Sequence, residues 1–222
     1  MKRFAVLAFF ALALFVPVRF AYAVPVLVDF DAIDATGGAV SGALVDTYFA
    51  GFGITVGNFS DASMRATVQR ASAGVVDGVS APYIVPDSPF NVFYLTGPLG
   101  TGSYSLSFAA PVSSVSFIRS AIIPVPAFAD IRPEWSVIAR DAGNNILASG
   151  GESFFSSSSI IAAQSFTFTG QISSLDFAYD VHGVSDPFVI DNLQFEPASE
   201  PATLVLLTLG LAGLGFSRRT RA

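Results

Sequence analysis

In the middle of this 222-residue chain, apolar side chains recur at every second position. Tyr104, Leu106 and Phe108 alternate with Ser105 and Ser107, and Leu175, Phe177 and Tyr179 have Ser174 and Asp176 opposite. Phe52, Ile54 and Val56 form a third set, and Phe166 with Phe168 a fourth. A strand turns successive side chains to opposite faces, so this alternation marks half-buried antiparallel strands. Turn signals separate the runs at Thr96-Gly97-Pro98, Ala110-Pro111, Asp141 to Asn145 and Thr169-Gly170-Gln171. Gly37 to Gly42 and Ser156 to Ser159 read as loops. The proline-rich run from Ile122 to Pro133 is incompatible with a central strand. No segment sustains a capped 3.6-residue period, and no internal repeat is present. The expected fold is all-β, an antiparallel, jelly-roll-like β-sandwich.

The two ends follow other rules. Lys2 and Arg3 precede an uninterrupted apolar run from Phe4 to Val16, and Ala21-Tyr22-Ala23 supplies a small-x-small site. Residues 1–23 therefore read as a helical signal peptide, cut by signal peptidase after Ala23. At the other end, Glu196-Pro197-Ala198-Ser199-Glu200-Pro201 leads into the uncharged segment Ala202 to Phe216, followed by Arg218, Arg219 and Arg221. As a helix, that segment spans about 22 Å at ~1.5 Å per residue, a marginal transmembrane length. Terminal arginines belong on the cytoplasmic side, which leaves the body outside the inner membrane. The expected organisation is a signal peptide over 1–23, a sandwich over 24–195 and a sorting tail over 196–222.

Composition narrows the function of the body. Fifteen of the 17 acids but only five of the 11 basic residues lie between Val24 and Phe195, a formal charge of −10 without a single lysine. Such a surface repels phosphate backbones, so nucleic acid is not an expected partner, and it attracts divalent cations. The absence of cysteine removes disulfides and thiolate chemistry. No catalytic residue stands out. The lone His182 follows Asp180 in a turn-like stretch, there is no nucleophile-elbow motif, and the only glutamates of the body, Glu134 and Glu152, form no recognisable pair. Asp29, Asp31 and Asp191 are candidate ligands for a structural calcium if the first and last strands pair. Phe188 and Ile190 share a parity that Leu193 and Phe195 lack, so a bulge is expected at Asp191-Asn192. Trp135, Tyr83 and Tyr94 are the candidate sugar-stacking rings, each also compatible with the core.

Glu200-Pro201, the apolar segment and Arg218-Arg219 together resemble the PEP-CTERM sorting signal of Gram-negative bacteria, with Ser199 where the first proline of the Pro-Glu-Pro triplet would stand. The resemblance implies recognition and cleavage by an exosortase, a membrane enzyme, and association with exopolysaccharide and biofilm. Similar tails occur on proteins described as ice-binding, although Thr167-Phe168-Thr169 alone does not make the repeated array an ice face needs. The body is similar in layout to galactose-binding-like sandwich ectodomains. The pieces that carry this are Val28-Asp29-Phe30-Asp31, Tyr48 to Ile54, Phe108 to Val115, Asp141 to Asn144 and Phe188 to Leu193. The expectation is a non-catalytic, exported cell-surface or extracellular-matrix protein, anchored in the inner membrane before processing. A lectin-like carbohydrate-binding module is the alternative, its ligand unspecified, and a glycan-active enzyme comes third. An exposed Trp/Tyr cluster would favour the lectin, a Ser/Thr-covered surface the matrix role, and clustered carboxylates in a deep pocket the enzyme.

Overall fold

The computed structural model describes residues 24–35, 40–70, 83–85, 91–96, 101–123, 133–153, 162–181 and 189–198. The compact unit Val24–Ala198 is built on ten antiparallel strands in one continuous hydrogen-bonded network. These are β1 (Val26–Val28), β2 (Val40–Ser41), β3 (Ile54–Gly57), β4 (Arg65–Arg70), β6 (Asn91–Thr96), β7 (Thr101–Arg119), β9 (Pro133–Arg140), β10 (Ile146–Glu152), β11 (Gln164–Val181) and β12 (Ile190–Pro197). A separate pair joins β5 (Tyr83–Val85) to β8 (Ala121–Ile123).

Two long strands create the layers. β7 and β11 pair antiparallel almost end to end, but the register breaks between Thr169 and Ser174, opposite the stretch from Val112 back to Ser107. Pro111 offers no N–H to a ladder and Gly170 adopts a φ of 136°, so both strands bend at the same place. Before the bend, β7 buries Tyr104, Leu106 and Phe108; after it, Val115, Phe117 and Arg119. The inward parity switches there, and β11 switches with it, from Phe168 to Leu175 and Phe177. One layer then runs β3, first half of β7, second half of β11, β9, β10; the other joins the remaining halves to β12, which pairs with β1 and, through β6, with β4 and β2. Strands that change layer at a bend are a recognised way to turn a sandwich corner. The turn signals at Ala110-Pro111 and Thr169-Gly170-Gln171 thus mark mid-strand bends rather than strand ends.

A chain of rings fills the space between the layers. Phe117 lies 5.5 Å from Phe177 and 6.0 Å from Trp135 across the gap, and stacks beside Phe166 and Phe168 of its own layer. Tyr104 stacks on Phe177 at 4.8 Å and meets Phe93, which packs against Phe49 and Phe30. All four alternating sets named from the sequence point inward to this core.

Two elements depart from the sequence reading. α1 (Ala43–Ala50) is a helix where none was expected; Gly42 precedes it without a side-chain cap, and only Val45 and Phe49 are buried on it. So short an element, lacking an N-cap residue, leaves no readable period. Val40–Ser41 is strand rather than loop, pairing with Val68 and Thr67. The hairpin turn at Asp141 is as expected. Its carboxylate accepts from Gly143 N and Asn145 N, each at 2.8 Å, and Asn144 takes a φ of 64°. Hydrogen bonds from the Asn145 side chain and backbone hold the Asp141 carboxyl below its ordinary range.

Because Phe117 is the ring that bridges the two layers, Phe117→Ala should cost about 3–5 kcal/mol of unfolding free energy. Urea denaturation followed by Trp135 fluorescence measures it.

Candidate functional site

The inward parity of β7 after the bend puts Arg119 in the core, where it is 2 % exposed. A buried guanidinium needs a partner with matching geometry. Glu152, at the end of β10 in the opposite layer, supplies it: Arg119 Nε donates to Oε2 at 2.8 Å and Nη2 to Oε1 at 2.6 Å. Nη1 donates to Ser120 O at 2.9 Å. Trp135, opposite Glu152 in the β9–β10 ladder, donates its indole N–H to the same Oε2 at 2.7 Å. One carboxylate therefore ties both layers together and orients the indole.

Above this network lies an open cleft of about 710 Å3. The register aligns Gly102, Tyr179 and Trp135 across β7, β11 and β9. The Tyr179 ring lies over Gly102, where a Cβ would come within 2.3 Å of Tyr179 Cζ and 2.7 Å of Met64 Cε. Hydroxyls from Ser60, Thr101, Ser103, Ser136 and Ser153 line the walls, and Glu134 stands exposed among the lining residues. Ser60 Oγ accepts from Ser103 N at 2.9 Å, which fixes the loop after β3 against β7. Burial raises the Tyr179 phenol above its ordinary pKa; burial, and then the neighbouring Tyr179, pushes Tyr104 behind it well above. Both phenols stay protonated at neutral pH.

The residues named from the sequence are distributed as follows. Trp135 is 3 % exposed and turns its N–H to Glu152, so it is a core ring and not a stacking platform. Glu134 and Glu152 line the same cleft, a pairing the sequence did not reveal. The first and last strands do pair, Val28 with Leu193, and the bulge falls where expected: the β12–β7 register shifts between Asp191 and Gln194, and Asn192 has a φ of 49°. Asp29 caps the short 3-10 turn Phe30–Ala32 by accepting from Asp31 N at 3.0 Å. Asp31 accepts from Asn91 N at 2.6 Å, and buried Asp191 from Asn192 N at 2.7 Å. Among the described residues no three His, Asp or Glu side chains gather to hold a metal ion. The side chains of Tyr83 and Tyr94, and all of Ala21, Ala23, His182, Glu200, Pro201, Arg218 and Arg219, lie outside the described residues. The arginine–glutamate–tryptophan network was missed. Its local signal is Arg119 at the inward parity set by Val115 and Phe117, but its partner lies 33 residues away.

Two outcomes follow. Glu152→Ala should destabilise the fold by about 3–5 kcal/mol, since Arg119 stays buried without a counter-charge, whereas the double variant Arg119→Met/Glu152→Leu should lose less; denaturant midpoints give the coupling. Alkaline stability should fall from about pH 10 upward. Unfolded tyrosines release protons there while native Tyr104 and Tyr179 still hold theirs, so rising pH favours the unfolded chain until the raised native values are passed. Absorbance at the tyrosinate band, with melting curves across pH, checks this.

A family model described as the PEP-CTERM protein-sorting motif matches residues 197–219. No curated protein matches the chain in sequence. Among solved structures, a DUF4465 family protein from Bacteroides caccae is 9 % identical, with a TM-score of 0.39 over 82 % of this chain and 96 % of that one. The CBM22-1 xylan-binding domain of Paenibacillus barcinonensis Xyn10C is 13 % identical, with a TM-score of 0.35 over 81 % and 99 %. The K1 cleaved adhesin domain of Lys-gingipain from Porphyromonas gingivalis is 13 % identical, with a TM-score of 0.31 over 78 % and 98 %. The chain spans 19 % of the enzymatically active domain of bacteriophage CBA120 tailspike protein 4, at a TM-score of 0.35 and 12 % identity over 65 % of this chain. With TM-scores below 0.5, these likenesses leave the functional reading to the chain's own residues. The motif at the end of β12 and the strand network before it make this chain an antiparallel β-sandwich protein that carries a PEP-CTERM protein-sorting motif.

Proposed function

We propose that the chain is an exported surface or matrix protein, delivered through its tail to an exosortase, with a non-catalytic sandwich that works by contact. The observation that carries this reading is the sorting motif at residues 197–219, which begins on the last residue of β12. In this reading signal peptidase removes residues 1–23, residues 202–216 hold the precursor in the inner membrane, and cleavage near Glu200-Pro201 releases the body to the cell surface or the exopolysaccharide.

The cleft supports a non-catalytic role. Glycoside hydrolysis needs two available carboxylates, and both oxygens of Glu152 are held by Arg119, with Trp135 on one of them. The open, hydroxyl-lined walls favour surface contact over sealed chemistry. Carbohydrate binding is the second reading, favoured by those same hydroxyls beside the half-buried Tyr179. The Trp/Tyr cluster that would favour it most is not among the described residues, whose exposed large apolar side chains are Val24, Leu27, Leu44, Ile146 and Leu147.

Changing Glu200 and Pro201 to alanine should leave full-length protein in the inner-membrane fraction, because the anchor survives while recognition fails. Replacing Arg218, Arg219 and Arg221 with serine should instead leak precursor to the periplasm. Fractionation with an epitope inserted between Gly37 and Gly38, ahead of β2, separates the two. Wild-type distribution of both variants would reject the sorting role.

A further inference from the structure

We propose that the bend end of the sandwich is a lipid-docking face: in the anchored precursor its exposed apolar side chains seat on the outer surface of the inner membrane and keep the cleft turned away from it. The inference rests on the anchoring reading above and adds the surface of the body that meets the bilayer.

The strand register gathers one set of side chains at that end. Pro197 of β12, Val112 of β7 and Ile172 of β11 lie in one row across the bend. β9 and β10 reach the same end through the turn at Asp141, since Arg140 pairs with both Ser174 and Ile146. Val24 precedes the Val26–Phe195 pair by two residues, which puts it beside Pro197. Val24 and Ile146 are 78 % and 61 % exposed. Exposed Leu147 lies over the bend, its Cδ1 3.2 Å from where a Cβ on Gly170 would stand, and exposed Leu27 follows Val24 on β1. Ala109, Ala110 and Pro111 add three consecutive exposed apolar residues. Scattered apolar residues are ordinary on a surface, but several strands presenting them at one end mark a contact face. Asp141, in the adjoining turn, has its carboxylate on the N–H groups of Gly143 and Asn145.

Chain length decides what covers this face. Ala198 donates its N–H to Pro111 O, and only Ser199, Glu200 and Pro201 separate it from the apolar segment that begins at Ala202. Four residue steps reach at most about 14 Å. In the anchored precursor the bend end therefore stays within that distance of the point where the segment enters the bilayer, and aliphatic side chains held there partition into the boundary between headgroups and acyl chains. The cleft lies at the other end of the same strands. Trp135 is five residues from Arg140 along β9, about 17 Å at ~3.4 Å per residue, and the register sets Tyr179 and Gly102 level with it.

The chain has no cysteine, so single cysteines carry a fluorescent label to one position each. Ala142→Cys places bimane in the turn beside Ile146, and Thr101→Cys places it at the cleft end; both positions are exposed. Each full-length variant is reconstituted into vesicles of phosphatidylethanolamine and phosphatidylglycerol with a nitroxide lipid in both leaflets, and flotation reports anchoring. Strong quenching at position 142 and little at position 101 is expected. Adding Ile146→Asp should bring quenching at position 142 down to near that at position 101, with flotation and melting temperature unchanged, because the side chain is already largely exposed. In protein that floats, equal quenching at the two positions, or quenching at position 142 that survives Ile146→Asp, would overturn the docking face and leave the anchor standing. Protein that does not float with the vesicles would overturn the anchor and the docking face together.

Discussion

The fold depends on β7 and β11 staying paired while they bend together. Each strand has its breaker, Pro111 in one and Gly170 in the other, and the register break places them at one corner. A bend in one strand alone would tear the ladder. Bending both keeps most backbone groups bonded and turns one sheet into two facing layers. The parity switch follows from the same event: the residues left out of register rotate the inward face by one position, so Leu106 and Phe117 face the same interior from opposite layers.

That interior is mainly aromatic, which suits a gap filled from both sides by rings meeting edge-on or stacked. The buried ion pair of Arg119 and Glu152 joins the layers. Arg119 and Glu152 cost desolvation energy when buried, and a well-packed apolar pair could match their stability. What they add is specificity of arrangement: the guanidinium fork fits one carboxylate orientation, the indole N–H of Trp135 takes the second lone pair of Oε2, and β10 is thereby registered against the far layer. The same contacts engage both oxygens of Glu152 inside the fold.

The surface carries the opposite character. Acidic residues outnumber basic ones in the body, and Arg65, Arg119 and Arg140 are engaged with carboxylates or backbone carbonyls. A body of this charge repels polyanions. The sorting motif begins on Pro197, still paired with Val112 and one residue before Ala198, whose N–H donates to Pro111 O. The matched motif therefore begins within the paired part of β12, beside the corner at Pro111.

Local patterns in the sequence determined much of this. Alternation identified the inward residues of β3, β7 and β11, because a strand's two faces are set by residue parity alone. The parity conflict in β12 located the Asn192 bulge for the same reason, and the ordered Glu-Pro, apolar and arginine features of the tail identified the sorting motif without any fold. Only the tertiary structure decided the rest. Pro111 and Gly170 look identical to turn signals until their strands are seen paired, since a breaker says that the chain bends but not whether pairing continues. Helix α1 has no cap and too few turns to announce itself, and is held by Val45 and Phe49 against distant rings. The match of Arg119 to Glu152, and the arrival of Glu134 and Glu152 in one cleft, depend on contacts far apart in the chain. A residue's sequence records that it must be satisfied when buried; which partner satisfies it is fixed by the folding of the layers.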